Sequence, residues 1–176
     1  MKMFISLETI QKADLRMLLW CGRSRLYPVF LNWVRAISKS GDGYMQLLFP
    51  LLVWLLSPSL GQDFLLLFVC AFALERSLYY VLKNTLKRQR PPEVIPHFTS
   101  IVKASDQFSF PSGHTMAAFL LAALSTMTLG SSAAILYVWA TAVGISRVVL
   151  GVHFPTDILA GAIIGISIAQ FSVSYF

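Results

Sequence analysis

The chain has 176 residues, of which 56% are hydrophobic and only 12% charged, with a mean hydropathy of +0.68. Soluble domains average about 45–50% apolar and about 25% charged residues, so a soluble domain, a disordered tail and a fibrous repeat are excluded, and the length suits a single domain over 1–176. Fourteen Lys and Arg against eight Asp and Glu give a formal charge of +6, which in so apolar a chain points to anionic lipid headgroups as partners and not to nucleic acid.

Residues 1–20 do not read as a signal peptide. Glu8, Lys12, Asp14 and Arg16 interrupt the apolar run, and no small-residue cleavage site is visible. Leu7, Ile10, Leu15, Leu18 and Leu19 recur at mixed helical steps, which predicts an amphipathic helix in the membrane interface. Residues 26–38 have the same character and are too short and too charged to span alone, since a span needs about 20 mostly apolar residues. Residues 1–42 are therefore predicted as interfacial helices and 43–176 as an all-α transmembrane core. Five spans are predicted, over 44–60, 63–82, 113–129, 133–149 and 155–171. A sixth, from residues 20–38, is the alternative. The turns at 57–61 and 130–132 carry the Ser, Pro and Gly that end helices. Residues 88–111 are polar and Pro-rich, a loop. Cys21 and Cys70 show no disulfide framework and are expected to be reduced.

Ionisable groups beside spans are expensive and mark function by default. Arg76, Lys83, Lys87 and Arg90 would share a face of a continuous helix, although Pro91 biases Arg90 away from helical geometry. Lys87 and Arg88 also suit snorkelling toward headgroups. Ser112 and Gly113 precede an apolar run and predict a helix N-terminus. Ser112 can cap it, Gly113 permits close approach, and the free N–H groups suit phosphate. His114, in the first turn, can donate a proton there. The competing reading is a capped helix with an interfacial histidine. Arg147 ends the fourth span, and His153 and Asp157 flank the turn opened by Pro155. The carboxylate can accept one imidazole N–H and leave the other nitrogen as a nucleophile. Alternatively, Asp157 caps the helix dipole and His153 only packs.

By alternation, the end of the second span, the start of the third, the end of the fourth and the start of the fifth lie on one side. The three motifs gather there, and a phosphate-handling site explains that grouping. Lys83-x6-Arg90-Pro91, then Pro111-Ser112-Gly113-His114, then Ser146-Arg147-x5-His153-x3-Asp157 resembles the type 2 phosphatidic acid phosphatase superfamily, whose motif-bearing region would be 83–157.

The resemblance implies His153 as the nucleophile that forms a phosphohistidine and Asp157 as its orienting partner. It implies His114 as general acid, then base. Lys83, Arg90, Arg147, Ser112 and Gly113 would bind the phosphate oxygens. No metal and no cofactor is implied, and Asp42, Glu75, Glu93 and Asp106 look scattered. His97 has no motif position. The implied substrate is a lipid phosphate or pyrophosphate. Undecaprenyl pyrophosphate, phosphatidic acid and phosphatidylglycerol phosphate are the choices, in a bacterial inner membrane. A phosphotransferase on the same site is an alternative. A non-catalytic transporter or anion-binding scaffold leaves the two histidines and Asp157 unexplained, and a haloperoxidase is disfavoured by the spans. Lys and Arg density slightly favours a cytoplasmic site, whereas many relatives of such a family work on the outer face, so the face is open. Gly161-x3-Gly165 marks close helix packing, within the bundle or between chains. The oligomeric state is open.

Overall fold

Helices form where the apolar runs are, and Pro or Gly punctuates most of their boundaries. In a computed structural model, residues 2–22 and 28–175 are described, with side chains for 9–21 and 28–175. The elements are α1 (Lys2–Gly22), α2 (Pro28–Ser40), α3 (Tyr44–Leu56), α4 (Pro58–Leu86), α5 (Pro91–Val94), α6 (Gly113–Leu129), α7 (Ile135–Val149) and α8 (Pro155–Tyr175). A 3₁₀ turn, Ser131–Ala134, leads into α7. No strand occurs among the described residues. The molecule is an all-α membrane bundle.

Its centre is α6. Met116, Leu120, Leu121 and Leu124, with Ala117, Ala118, Ala122 and Ala123, are buried around its circumference. A helix apolar on all sides is a core helix. Here α4, α7 and α8 surround it, α3 packs on α4, and α2 packs on α7. The outer helices turn Leu66, Val69, Val138, Ile145, Leu159 and Ile163 outward, the inverse of a soluble protein and the face that lipid covers. Lipid gives helices no hydrophobic reason to associate, so close packing must do so. One close seam joins α6 and α8. A Cβ on Gly161 would lie 2.8 Å from the Ser112 carbonyl oxygen, and one on Gly165 would strike the Met116 carbonyl. The glycine pair therefore packs within the bundle.

Three expectations change. The first predicted span is a 13-residue helix, α3, that stops at Leu56 because Pro58 starts a new helix at once. At about 1.5 Å per residue it reaches about 20 Å, short of a bilayer core of about 30 Å. α4 and α8 and the segment Ser131–Val149 are long and apolar enough to cross. The second span is longer than predicted, 29 residues. Finally, α1 does not present all its leucines inward. Asp14 and Leu18 are buried, whereas Ile10 and Leu19 are exposed, because α1 packs sideways onto α7 and α8 and meets a polar patch there. The side chain of Leu7 and the link 23–27, which carries part of the six-span alternative, lie outside what is described. Cys21 and Cys70 form no disulfide among the described residues.

Candidate active site

The end of α4, the 87–112 loop, the start of α6, the end of α7 and the start of α8 converge with the α2–α3 turn around a cavity of about 540 Å³. Arg90, Gly113, His114, Arg147 and His153 border it, and so do Asp42, Tyr79 and Asp106. Lys83, Ser112 and Asp157 stand behind this lining.

His153 lies in the turn between α7 and α8 and is 2% exposed. Its Nδ1 is 3.5 Å from Asp157 Oδ2, an ion-pair distance longer than a closed hydrogen bond. Pro155 starts α8 and sets Asp157 in its first turn. There Asp157 Oδ2 accepts the Phe154 N–H at 2.8 Å and Oδ1 accepts Arg88 Nη1 at 2.6 Å. The carboxylate thus serves the helix start and faces the histidine at once, at a distance longer than the imidazole hydrogen bond that the sequence suggests. Burial pushes the His153 imidazole down to about 4. The Asp157 charge opposes that push, and Arg90 and Arg147 add to it. The ring is neutral at neutral pH.

Lys83 and Arg90 come together as expected, both nearly buried. Lys87 ends α4 in a left-handed conformation (φ 47°), and Arg90 is extended just before Pro91. The basic stripe is therefore not one helical face. Both cations hold Asp106: Lys83 Nζ donates at 2.6 Å, and Arg90 Nη2 and the Tyr79 hydroxyl donate as well. Arg90 Nη1 also donates to the Val152 carbonyl at 2.5 Å, and Glu93 accepts the Arg90 backbone N–H at 2.9 Å. Burial alone would raise the Asp106 carboxyl, but Lys83, Tyr79 and Arg90 outweigh it and hold it down at about 2. Arg147 Nη1 donates to Ser38 Oγ at 2.6 Å, while its buried Nε has no partner among the described residues.

His114 Nε2 lies 2.6 Å from Asp42 Oδ1 on the α2–α3 turn. Ser112 precedes α6 as predicted, but its hydroxyl caps nothing. It accepts Thr115 Oγ1 at 3.0 Å, because the side chain is buried against its own first turn. The Ser112 N–H donates to the Asp157 carbonyl at 3.2 Å and ties the two helix starts together. Gly113 does permit a close approach: a Cβ there would lie 2.7 Å from the Tyr79 ring.

The acids that look scattered in sequence are not scattered in space. Asp42 meets His114, Asp106 meets Lys83 and Arg90, and Glu75 pairs with Arg76. Arg88 is a second correction. It does not reach for headgroups but lies between Asp157, Thr156 and Asp14. Its two-residue spacing from Arg90 was the one available hint. Nothing in the sequence marks Asp14 beyond its being a charge on an apolar helix. His97 is exposed in a turn.

A family model described as the PAP2 superfamily matches residues 64–176. Phosphatidylglycerophosphatase B of Bacillus subtilis is 39% identical over 112 residues, covering 57% of this chain and 52% of that protein. Bacitracin transport permease protein BcrC of Bacillus licheniformis is 30% identical over 118 residues, covering 67% of this chain and 58% of that protein. The chain therefore spans little more than half the length of these two curated relatives. Among solved structures, Aquifex aeolicus LpxE superposes with a TM-score of 0.78 at 26% identity, covering 92% of this chain and 94% of that one. The PAP2-type phosphatidylglycerolphosphate phosphatase of Bacillus subtilis gives 0.74 at 28% identity, covering 95% and 86%.

Proposed function

This chain belongs to the PAP2 superfamily, and on that premise we propose that it is a membrane lipid phosphatase acting through a phosphohistidine. One observation carries the reading: His153 faces Asp157 across the start of α8, while Arg90, Arg147 and His114 border the same cavity. Nδ1 faces the carboxylate, so Nε2 is the attacking nitrogen, and its neutral ring has a free lone pair. Nε2 bonds to phosphorus as the ester or anhydride P–O bond breaks, and His114 gives its proton to the leaving oxygen. Water then attacks phosphorus, His114 takes its proton, the P–N bond breaks and inorganic phosphate leaves.

Arg147, Arg90 and Lys83 stabilise the charge on the transferring group, with the Gly113 N–H and the Ser112 hydroxyl beside them. Asp106 is the counter-ion of Lys83 and Arg90. A phosphate dianion offers those donors more charge than one carboxylate and competes for them. The three cations supply the charge stabilisation that Mg²⁺ supplies in other phosphoryl transfers, so the reaction is expected to proceed without metal. A lipid substrate suits a cavity at the end of a bundle whose sides are apolar. The names of the relatives span phosphatidylglycerophosphatase and decaprenylphosphoryl-5-phosphoribose phosphatase, so both phospholipid and isoprenyl phosphates belong in the assay.

The test is phosphate release by detergent-purified protein in EDTA from undecaprenyl pyrophosphate, phosphatidic acid and phosphatidylglycerol phosphate, with His153→Ala alongside. Release that survives EDTA and vanishes in the variant supports the reading. Release that needs a divalent metal, or that persists in folded His153→Ala, overturns the mechanism.

A further inference from the structure

We propose that Asp14 of α1 and Arg88 of the α4–α5 link are positioning residues that fix the Asp157 carboxylate, and through it the His153 ring. This inference rests on the phosphohistidine reading above.

Arg88 lies between two buried carboxylates. Nη1 donates to Asp157 Oδ1 at 2.6 Å and to Thr156 Oγ1 at 2.7 Å, and Nη2 donates to Asp14 Oδ2 at 2.7 Å. The guanidinium also covers the Phe154 ring, 4.3 Å from its centroid. Asp14 is 2% exposed and completes the cluster from a different helix. Its Oδ1 accepts the Thr156 N–H at 3.0 Å and its Oδ2 accepts the Thr156 hydroxyl at 2.5 Å. Every position from 154 to 157 except Pro155 is held by one of these groups.

The need for such a clamp follows from the 3.5 Å gap between Asp157 and His153. That contact is too long to hold either partner. The carboxylate keeps Oδ2 toward the imidazole only because Arg88 takes Oδ1 and the Phe154 N–H takes Oδ2. Anchoring α1 does not require Asp14, since Leu18 already packs against Val148 and Phe154. Burying a carboxylate where an apolar residue would anchor equally well is expensive unless the charge has a use. Asp14 also balances Arg88, so the pair adds orientation to the site with no net charge.

The measurement is steady-state kinetics on the full chain in detergent micelles holding phosphatidic acid, for Asp14→Asn, Arg88→Lys, Asp14→Asn/Arg88→Gln and His153→Ala. Arg90 and Arg147, the proposed phosphate ligands at the cavity, are unchanged in these variants. The expected result is a fall in kcat of about 10- to 100-fold, the scale of a misplacement of about 1 Å, with KM within about threefold. The double variant should lose about as much as Asp14→Asn alone, because the two act as one unit.

The acid limb of the pH–kcat/KM profile is a second readout. The charges that face His153 and Asp157 are Arg88 and Arg90 from the link, Arg147 from α7, Asp14 from α1, Lys83 from α4 and Asp106 from the loop. His114 of α6 borders the same cavity. Asp14→Asn leaves Arg88 unopposed beside this set and should move the limb to lower pH. The double variant removes both charges and should return it toward the parent.

A purely structural cluster would lower Tm and leave kcat of the folded fraction and the acid limb unmoved, and that overturns the proposal. Should Asp14→Asn fail to fold, Arg88→Lys, which keeps a charge between the carboxylates, decides alone. If His153→Ala still turns over, the phosphohistidine reading fails first. If it is dead while Asp14→Asn and Arg88→Lys keep the parent kcat, only the clamp fails.

Discussion

The two histidines of the cavity are held in different ways. His153 is buried, and its carboxylate partner is fully buried and fixed by a second pair of charges. The His114 side chain is 20% exposed, and its partner Asp42 is 44% exposed on the α2–α3 turn, with no further clamp on that carboxylate among the described residues. The difference fits the division of labour proposed for them. A group that forms a bond to phosphorus must keep one direction, which burial and a fixed partner provide. A group that passes protons to a leaving oxygen and then from water must meet solvent, which a half-open position provides.

The strongest way to break this contrast is His153→Ala, which should cut turnover by about 10⁴-fold or more while size-exclusion behaviour and Tm stay near the parent. Asp157→Asn should follow at about 10³- to 10⁴-fold, because an amide offers His153 the wrong partner atoms. Its exposed counterpart, Asp42→Asn, should cost about 10-fold or less in kcat on the same substrate. Equal losses for the two carboxylates would erase the distinction between a fixed arm and an open one. His114→Ala should cost about 10²- to 10⁴-fold for alkyl phosphates and much less for an aryl phosphate with a good leaving group. At the small end, Lys87→Ala should change kcat/KM by less than about twofold, since Lys87 is exposed and outside the cavity.

Acidity sharpens the same contrast. The folded state holds His153 neutral down to about pH 4, whereas an unfolded histidine takes up its proton near pH 6.5. The unfolded chain therefore binds more protons in that window, and stability should fall as pH drops from about 6.5 toward 4. Asp106, held at about 2, adds a further loss only below the ordinary carboxylate range. Thermal melts of parent and His153→Gln between pH 7 and 4 check this. The variant should lose most of the upper part of the slope.

Much of this arrangement is legible in the sequence, because apolar runs name helices and the three motifs name helix ends. Lys83, Arg90, His114, Arg147, His153 and Asp157 all reach one region because each lies at or next to a helix end or in a turn, where alternation fixes the side. Other features depend on packing between distant segments. The sequence pattern of α1 gives an apolar face containing Ile10 and Leu19, but docking onto α7 and α8 selects Leu18 and the charged Asp14 instead. Asp42 and Asp106 look isolated because their partners lie 72 and 23 residues away. α3 is shorter than its apolar run predicts because Ser57 and Pro58, which have the composition of a turn, form a direct junction between two helices.

The α6–α8 seam has a consequence for the tuning of the reaction. Gly161 and Gly165 leave no compressible side chain between the two backbones, so the helices cannot slip past one another. His114 begins one and Asp157 begins the other. A slip of a single residue would offset them by about 1.5 Å, more than the tolerance of a phosphoryl transfer. On the proposed mechanism, the interval between proton donor and nucleophile is therefore gauged by bare backbone in the apolar interior, about 12 Å along α8 from the aspartate. A methyl group added at Gly165 would detune the chemistry without touching one polar atom of the cavity.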